Sequence, residues 1–143
     1  MPTYTFDSSV IISYRIRELP KNFMLSAVVI AELTAGAPDD STRKVYEAMR
    51  LEFYKADALI IPNGDDWLTA SRILFWLSRG RKRKSRGKTP RLLPGASQRM
   101  FMDALIAVSA RRAGATVVTE NFEDFKAIQY YCSKTDPRIG LFK

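Results

Sequence analysis

Short apolar and β-branched runs alternate with longer segments of helical periodicity in this chain, and this alternation restricts the fold more than any other sequence feature. Strands are predicted at residues 4–6, 23–25, 58–61, 116–119 and 139–142. Helices are predicted at residues 10–16, 27–35, 40–56, 65–80, 97–113 and 121–125. Strands that alternate with helices pair in parallel, with helices on both faces of the sheet. We therefore expect a three-layer α/β fold with a central parallel sheet of about five strands.

The positive charge of the chain is confined to one segment. Its 143 residues are typical of a single domain, and we expect residues 1–143 to form one. Between residues 79 and 91 there is no acid, and the bases are Arg79, Arg81, Lys82, Arg83, Lys84, Arg86, Lys88 and Arg91. These eight cations equal the whole net charge of +8, so the remainder is electroneutral. Because Gly87, Pro90 and Pro94 interrupt the segment, residues 79–95 are predicted to be a basic loop or mobile segment.

The residue types that are absent exclude several classes of enzyme. The chain has no histidine, which excludes Ser-His-Asp and Cys-His hydrolases, histidine zinc sites and histidine acid–base pairs. Cys132 is the only cysteine, so one chain cannot form a disulfide, and we interpret this residue as structural. Hydrolysis would then depend on carboxylates and a hard cation, since oxygen ligands suit Mg²⁺ or Mn²⁺.

The positions of certain acids agree with such a site. In parallel sheets the functional crevice lies beyond the carboxyl ends of the strands. Asp7 and Asp124 follow predicted strands, whereas Glu32 and Asp103 are embedded in apolar helical sequence where a surface acid is unexpected. Simpler interpretations remain open: Asp7 could merely cap a helix, and Asp124 could be a first-turn acid stabilised by the helix dipole. Glu120 and Glu123 are alternatives to Asp124.

Four segments carry a family resemblance. They are Phe6-Asp7-Ser8-Ser9-Val10-Ile11-Ile12, Ser26-Ala27-Val28-Val29-Ile30-Ala31-Glu32-Leu33, Asp103-Ala104-Leu105-Ile106-Ala107 and Val118-Thr119-Glu120-Asn121-Phe122-Glu123-Asp124-Phe125. Together and in this order they resemble the PIN-domain nucleases, particularly VapC-type toxins of toxin–antitoxin pairs. The resemblance implies a PIN-like fold and a catalytic Mg²⁺ or Mn²⁺ site. Its ligands would be Asp7, Glu32, Asp103 and Asp124, with Thr119 and Asn121 as supporting polar groups. Ser9 departs from the family, which often has asparagine there.

The same resemblance implies an endoribonuclease that hydrolyses RNA phosphodiesters, inhibited by an antitoxin protein and assembled as a homodimer. The basic segment independently favours a polyanionic substrate, although it could instead be a solvated loop or contact an acidic antitoxin. Two other functions remain open: an RNA-processing nuclease without an antitoxin, and an inactive RNA-binding module. A binding module would gain nothing from clustered carboxylates.

Two further expectations concern location and aromatic residues. No apolar run approaches the roughly 20 residues of a membrane helix, and no secretion signal is recognised, so we expect a cytoplasmic protein without membrane contact. Trp67, Phe75 and Trp76 could stack on bases, but their helical spacing is more typical of a core or a dimer interface.

Overall fold

Parallel strands form the centre of the fold. The computed structural model describes residues 3–13, 19, 22–84, 95–135 and 141–142. Within these ranges the strands are β1 (Thr3–Phe6), β2 (Phe23–Ser26), β3 (Leu59–Ile60), β4 (Ala115–Val118) and β5 (Leu141–Phe142). They pair in the order β3-β2-β1-β4-β5, and every pairing is parallel. The predicted α/β class with a central parallel sheet is confirmed.

The number of strands depends on the treatment of one edge. Strands β2, β1, β4 and β5 form the continuous central sheet of four strands. Strand β3 has two residues and joins β2 through a separate ladder, in which Leu25 pairs with Leu59 and Ser26 with Ile60. The prediction of about five strands therefore holds only when β3 is counted.

Helices flank the sheet and connect its strands. They are α1 (Ser8–Ser13), α2 (Ala27–Ala35), α3 (Asp40–Lys55), α4 (Gly64–Lys84), α5 (Ala96–Arg112) and α6 (Phe122–Thr135). Local capping fixes several starts: Ser26 accepts a bond from the Val29 amide, and Asp39 accepts one of 2.7 Å from the Thr42 amide. Asp39 is thus the N-cap of α3. Helix α6 extends well beyond the short helix that was predicted.

The prediction that residues 79–95 form a loop or mobile segment is wrong for residues 79–84, which continue α4. Arginine and lysine are good helix formers, and Gly80 alone costs only about 1 kcal/mol in a helix interior. These preferences carry α4 into the basic segment. Residues 85–94 lie outside the described residues, and Gly95, with a φ of 82°, is the N-cap of α5.

Helix α5 and the two central strands form the core beneath the site. Residues Ala104, Leu105, Ile106, Ala107 and Ala110 of α5 are all buried, which agrees with its contacts with α4, α6, α2 and β4. On the sheet, Phe6 pairs with Val118, so β1 and β4 end level with each other. The residues that follow these strands are consequently neighbours. No helix in the described ranges is long and apolar enough to cross a membrane.

Candidate functional site

A cleft of about 810 Å³ opens beyond the carboxyl ends of β1 and β4, where a parallel sheet places its functional crevice. The described residues that line it are Asp7, Ser8, Ser9, Glu32, Gly95, Gln98, Arg99, Met100, Met102, Asp103, Asn121 and Asp124. All four acids singled out in the sequence face this one cleft. Thr119 lies behind Asp7 and is buried.

Asp7 is the most firmly held of the four acids. It is 4% exposed, and its Oδ1 atom accepts hydrogen bonds from Ser9 Oγ at 2.5 Å and from the Val10 amide at 3.4 Å. Its Oδ2 atom accepts a 2.5 Å bond from Thr119 Oγ1. The bond from Val10 is a helix cap, so the capping interpretation and the site interpretation of Asp7 hold together. Donors on both oxygens fix the orientation of this carboxylate.

The two hydroxyl groups that hold Asp7 also connect the loops around it. Ser9 Oγ accepts a bond of 3.3 Å from the Glu120 amide, and Thr119 Oγ1 accepts one of 2.8 Å from the Asn121 amide. The start of α1 is thereby tied to the loop between β4 and α6. Serine at position 9, where the resembling family often has asparagine, supplies both a donor and an acceptor here.

Glu32 lies on α2 and reaches the cleft from the β2 side. Its Oε2 atom accepts a 3.5 Å hydrogen bond from Ser8 Oγ. Partial burial raises the pKa of Glu32 above its usual value, the Ser8 hydroxyl opposes this shift, and the negative charge of Asp7 adds to it. Because the residue as a whole is exposed, only part of its hydration is lost.

Asp103 has the most perturbed carboxylate of the site. Its pKa is raised from 3.8 to about 7, chiefly by burial and then by the charges of Glu32, Asp7 and Asp124. The positive charge of Arg99 lowers the pKa in part. The high pKa of Asp103 shows that burial, together with the neighbouring negative charges, outweighs the effect of Arg99.

Asp124 lies in the first turn of α6, and its Oδ2 atom accepts a 2.8 Å bond from Asn121 Nδ2. The two alternatives from the sequence, Glu120 and Glu123, are exposed and are not among the described residues that line the cleft. The side-chain contact with Asn121 and the position in the cleft together favour Asp124 over its acidic neighbours.

The carboxylate oxygens of these acids are suitable ligands for a hard divalent cation, but the acids do not lie close together. Among the described residues, no three or more His, Cys, Asp or Glu side chains lie close enough together to hold a metal ion as they stand. Each of Asp7, Glu32 and Asp124 instead accepts hydrogen bonds from hydroxyls or an amide. Mg²⁺ is usually held by one or two carboxylates with several waters, so a set of three direct ligands is not required. The residues present fit such a cation.

In the basic segment, Arg79 is the only residue whose side chain is described, and it is not among the described residues that line the cleft. Arg79 is exposed, and its guanidinium carbon lies 3.3 Å from the centre of the Phe75 ring. The side chains of Arg81, Lys82, Arg83 and Lys84 are not described, and Arg86, Lys88 and Arg91 lie outside the described residues. Their predicted contact with RNA stays a prediction. Trp67, Phe75 and Trp76 are all exposed on α4, which argues against a core role for these rings.

Arg99 and Gln98 line the cleft although the sequence reasoning did not select them. Arg99 precedes Asp103 by four residues on α5, and residues four apart share a helix face. Helical spacing from Asp103 would therefore have identified this cation. Ser8 was not among the predicted site residues either, yet its hydroxyl donates a hydrogen bond to Glu32.

Comparisons with known proteins agree with this architecture. A chain of DNA-bound VapBC from Salmonella typhimurium is 18% identical, with a TM-score of 0.56 over 99% of this chain and 98% of that one. A chain of FitAB bound to an IR36 DNA fragment is 16% identical, with a TM-score of 0.57 over 97% and 93%. A chain of VapBC-1 from nontypeable Haemophilus influenzae is 18% identical, with a TM-score of 0.53 over 99% of this chain and 97% of that one. No family model and no curated protein matches the sequence.

These structural neighbours are toxin–antitoxin complexes, and at such identities the likeness establishes the fold. The chain thus has a PIN-like α/β fold, with four strands in its continuous parallel sheet and helices flanking it. The predicted resemblance is confirmed at this level.

Proposed function

We propose that this chain is a metal-dependent endoribonuclease and the toxin of a type II toxin–antitoxin pair. The observation that carries the proposal is the convergence of Asp7, Glu32, Asp103 and Asp124 on one cleft, although they come from four separate parts of the chain. The PIN-like fold, and its occurrence in toxin–antitoxin complexes, support the same conclusion. Clustered carboxylates repel a phosphodiester unless a divalent cation offsets their charge, so metal dependence belongs to the proposal.

The four acids would hold the cation, and Thr119 and Asn121 would support them. When bound, Mg²⁺ or Mn²⁺ supplies polarisation of the phosphate and a lowered pKa for the attacking water. Asp7 contributes a fixed carboxylate, because hydroxyl donors restrain both of its oxygens. Without a cation Asp103 keeps its proton up to about pH 7, so occupancy of the site is coupled to proton release from this carboxyl.

RNA as the substrate is supported by the distribution of charge. The cations between Arg79 and Arg91 account for the entire net charge of the chain, and they flank the end of α4 and the start of α5 in sequence. Gly95, Gln98 and Arg99 at the start of α5 line the cleft. A basic segment that precedes these cleft residues in the sequence would bind the phosphates that flank the cleavage position.

Two protein partners are part of the proposal: an antitoxin that blocks the cleft, and a second copy of this chain. The neighbours with this fold are complexes with antitoxins, which supports the first. Support for a homodimer comes from the outer face of α4, where Leu68, Phe75 and Trp76 are exposed. Exposed apolar side chains grouped on one helix are typical of a protein interface.

The deciding experiment is an RNA cleavage assay with Mg²⁺ or Mn²⁺. We expect the parent to cleave, and Asp7→Asn and Asp103→Asn to lose at least 100-fold in rate, since each removes charge that the cation requires. Asp65→Asn, on the exposed first turn of α4, is the matched control and should retain parental activity. Unchanged cleavage by both cleft variants, with folding verified by circular dichroism, would refute the assignment.

An inactive RNA-binding module is the second candidate, and the separation of the acids among the described residues is the observation that favours it. The same assay separates the two functions. A module would bind RNA in EDTA and in Mg²⁺ equally well and would leave the strand intact. A nuclease of RNA processing without an antitoxin would cleave, and expression without harm to a host cell would distinguish it from a toxin.

A further inference from the structure

Arg99 is the single cation among the described residues that line the acidic cleft. It lies on α5, one helical turn before Asp103, and its side chain is exposed. Its backbone amide bonds to the Gly95 carbonyl, but its guanidinium makes no hydrogen bond or ion pair with any residue that the structure describes. The guanidinium group shares the cleft with four acids, and its hydrogen-bond donors are available to a ligand.

The carboxylates do not depend on Arg99 for their orientation. Asp7 is held by Ser9 and Thr119, Glu32 by Ser8, and Asp124 by Asn121. Arg99 acts on the acids through space, since its charge favours the ionised form of Asp103. A positive charge in the same cleft also opposes the binding of a divalent cation. Neither ligand orientation nor metal affinity accounts for its presence.

The chemistry of the side chain suits a phosphate. Guanidinium presents a planar fork of donors that matches two phosphate oxygens at once, and it is less strongly hydrated than an ammonium group. An anionic phosphodiester that enters the cleft meets four carboxylates, and Arg99 is the one positively charged side chain among the described residues of its lining. The position four residues from Asp103 puts this attraction beside the proposed reaction centre.

We propose that Arg99 binds a phosphate oxygen of the RNA strand inside the cleft and so sets which phosphodiester faces the carboxylates. This inference rests on the proposed function and names a substrate-binding residue for it. The role predicts that the two affinities respond differently. Removing the positive charge of Arg99 should weaken the binding of RNA, whereas the binding of the metal ion alone should be unchanged or stronger. A residue that merely balanced charge for the fold would not separate the two affinities.

The test compares Arg99→Gln and Arg99→Lys with Arg111→Gln, a matched change at an exposed arginine in the last turn of the same helix. Cleavage of a short RNA is measured as kcat and KM over a series of NaCl concentrations. Mn²⁺ binding is measured by calorimetry without RNA. For Arg99→Gln we expect kcat/KM to fall about 10- to 100-fold, and the slope of log affinity against log salt to flatten by about 0.7.

Arg99→Lys should restore the salt slope but only part of kcat/KM, since it keeps the charge and loses the planar fork. Mn²⁺ should bind Arg99→Gln at least as tightly as the parent. The inference is overturned if Arg99→Gln keeps the parental KM and salt slope, or if it loses Mn²⁺ affinity. If the parent does not cleave RNA, the proposed function is refuted. If the parent cleaves RNA and Arg99→Gln does so with the same KM and salt slope, only this inference is refuted.

Discussion

Thr119 donates a 2.5 Å hydrogen bond to Oδ2 of Asp7, a residue that precedes it by 112 positions in the chain. The register of β1 against β4 makes this contact possible, because Phe6 pairs with Val118 and the residues that follow them, Asp7 and Thr119, are neighbours. The same hydroxyl accepts the Asn121 amide. One buried side chain thus orients both Asp7, which follows β1, and the loop that leads to Asp124.

Thr119→Val should reduce kcat/KM or metal affinity about 10- to 100-fold, because groups that orient metal ligands typically contribute this much. Valine keeps the shape of threonine but leaves Asp7 Oδ2 without a donor and the Asn121 amide without its acceptor. Thr119→Ser should recover most of the loss. Thr116→Val, on β4 and outside the cleft, is the control. Equal activity of the two valine variants would contradict the orienting role.

Mg²⁺ or Mn²⁺ should raise the melting temperature of the metal-free protein by several degrees at millimolar concentration, because the cation binds only the folded chain. Asp103→Asn should show a smaller rise, since one ligand has been removed. Differential scanning fluorimetry after treatment with EDTA measures both. NaCl at matched ionic strength is the control, and an equal rise with NaCl would attribute the effect to charge screening.

The stability of the metal-free protein should fall as pH rises from about 4 to about 7. The pKa of Asp103 is about 7 in the folded protein and near 3.8 when the chain is unfolded, so the folded state holds more protons throughout this window. The stability that the raised pKa contributes is complete below the unfolded value and is lost as pH passes the folded value. For one group the slope is at most about 1.4 kcal/mol per pH unit.

Urea unfolding in EDTA at several pH values measures this dependence. The Asp103→Asn variant should flatten the profile and should be more stable than the parent above pH 7, because no ionised carboxylate then remains at that position. Parallel profiles for the two proteins would show that Asp103 titrates in the same way folded and unfolded.

Much of the fold was predictable because local signals agree with the final structure. The strands at β1, β2 and β4 are short apolar or β-branched runs next to capping residues, and their boundaries were predicted within one residue. The end of α4 was not, because arginine and lysine favour a helix as readily as a charged loop. Apolar helices such as α5 stood out since they are buried on several sides.

The presence of the four acids in one cleft was predictable, but the geometry of the cleft was not. Apolar sequence around Glu32 and Asp103 identified acids that tertiary structure places in a cleft. Distances between them depend on strand register and side-chain rotamers, which no sequence pattern specifies. Arg99 was missed because a single exposed arginine has no local signature, and only its helical spacing from Asp103 indicates a shared face.

Arg112→Met should lower the free energy of unfolding by about 1.5–3 kcal/mol, the usual contribution of a hydrogen bond to a charged group. Arg112 Nε lies 2.9 Å from Oδ2 of the buried Asp66, and Arg112 Nη2 donates a 2.7 Å bond to the Ile61 carbonyl. Methionine removes both contacts and leaves Asp66 with its partner Asn63 alone. Denaturant unfolding measures the change, and Arg111→Met at the adjacent exposed position is the control, with little effect expected.

Trp76→Glu should shift the proposed homodimer toward monomer, because a carboxylate would be buried in an interface formed by the outer face of α4. Leu68 and Phe75 lie on the same exposed part of the helix. Light scattering after size exclusion gives the mass of the particle. Val45→Glu places the same charge at an exposed apolar position on α3 and should leave the mass unchanged. A parent that is monomeric at micromolar concentration would exclude this role for α4.

More than a hundred residues separate the two central strands of the sheet, β1 and β4, and this has a consequence for biosynthesis. A chain that emerges from the ribosome exposes β1 and Asp7 first, but β4 and Thr119 follow more than a hundred residues later. Pairing that must wait for so distant a segment occurs late in folding. Fragments that stop before β4 therefore lack an assembled cleft, and the four acids can converge only after the chain has been synthesised as far as Asp124.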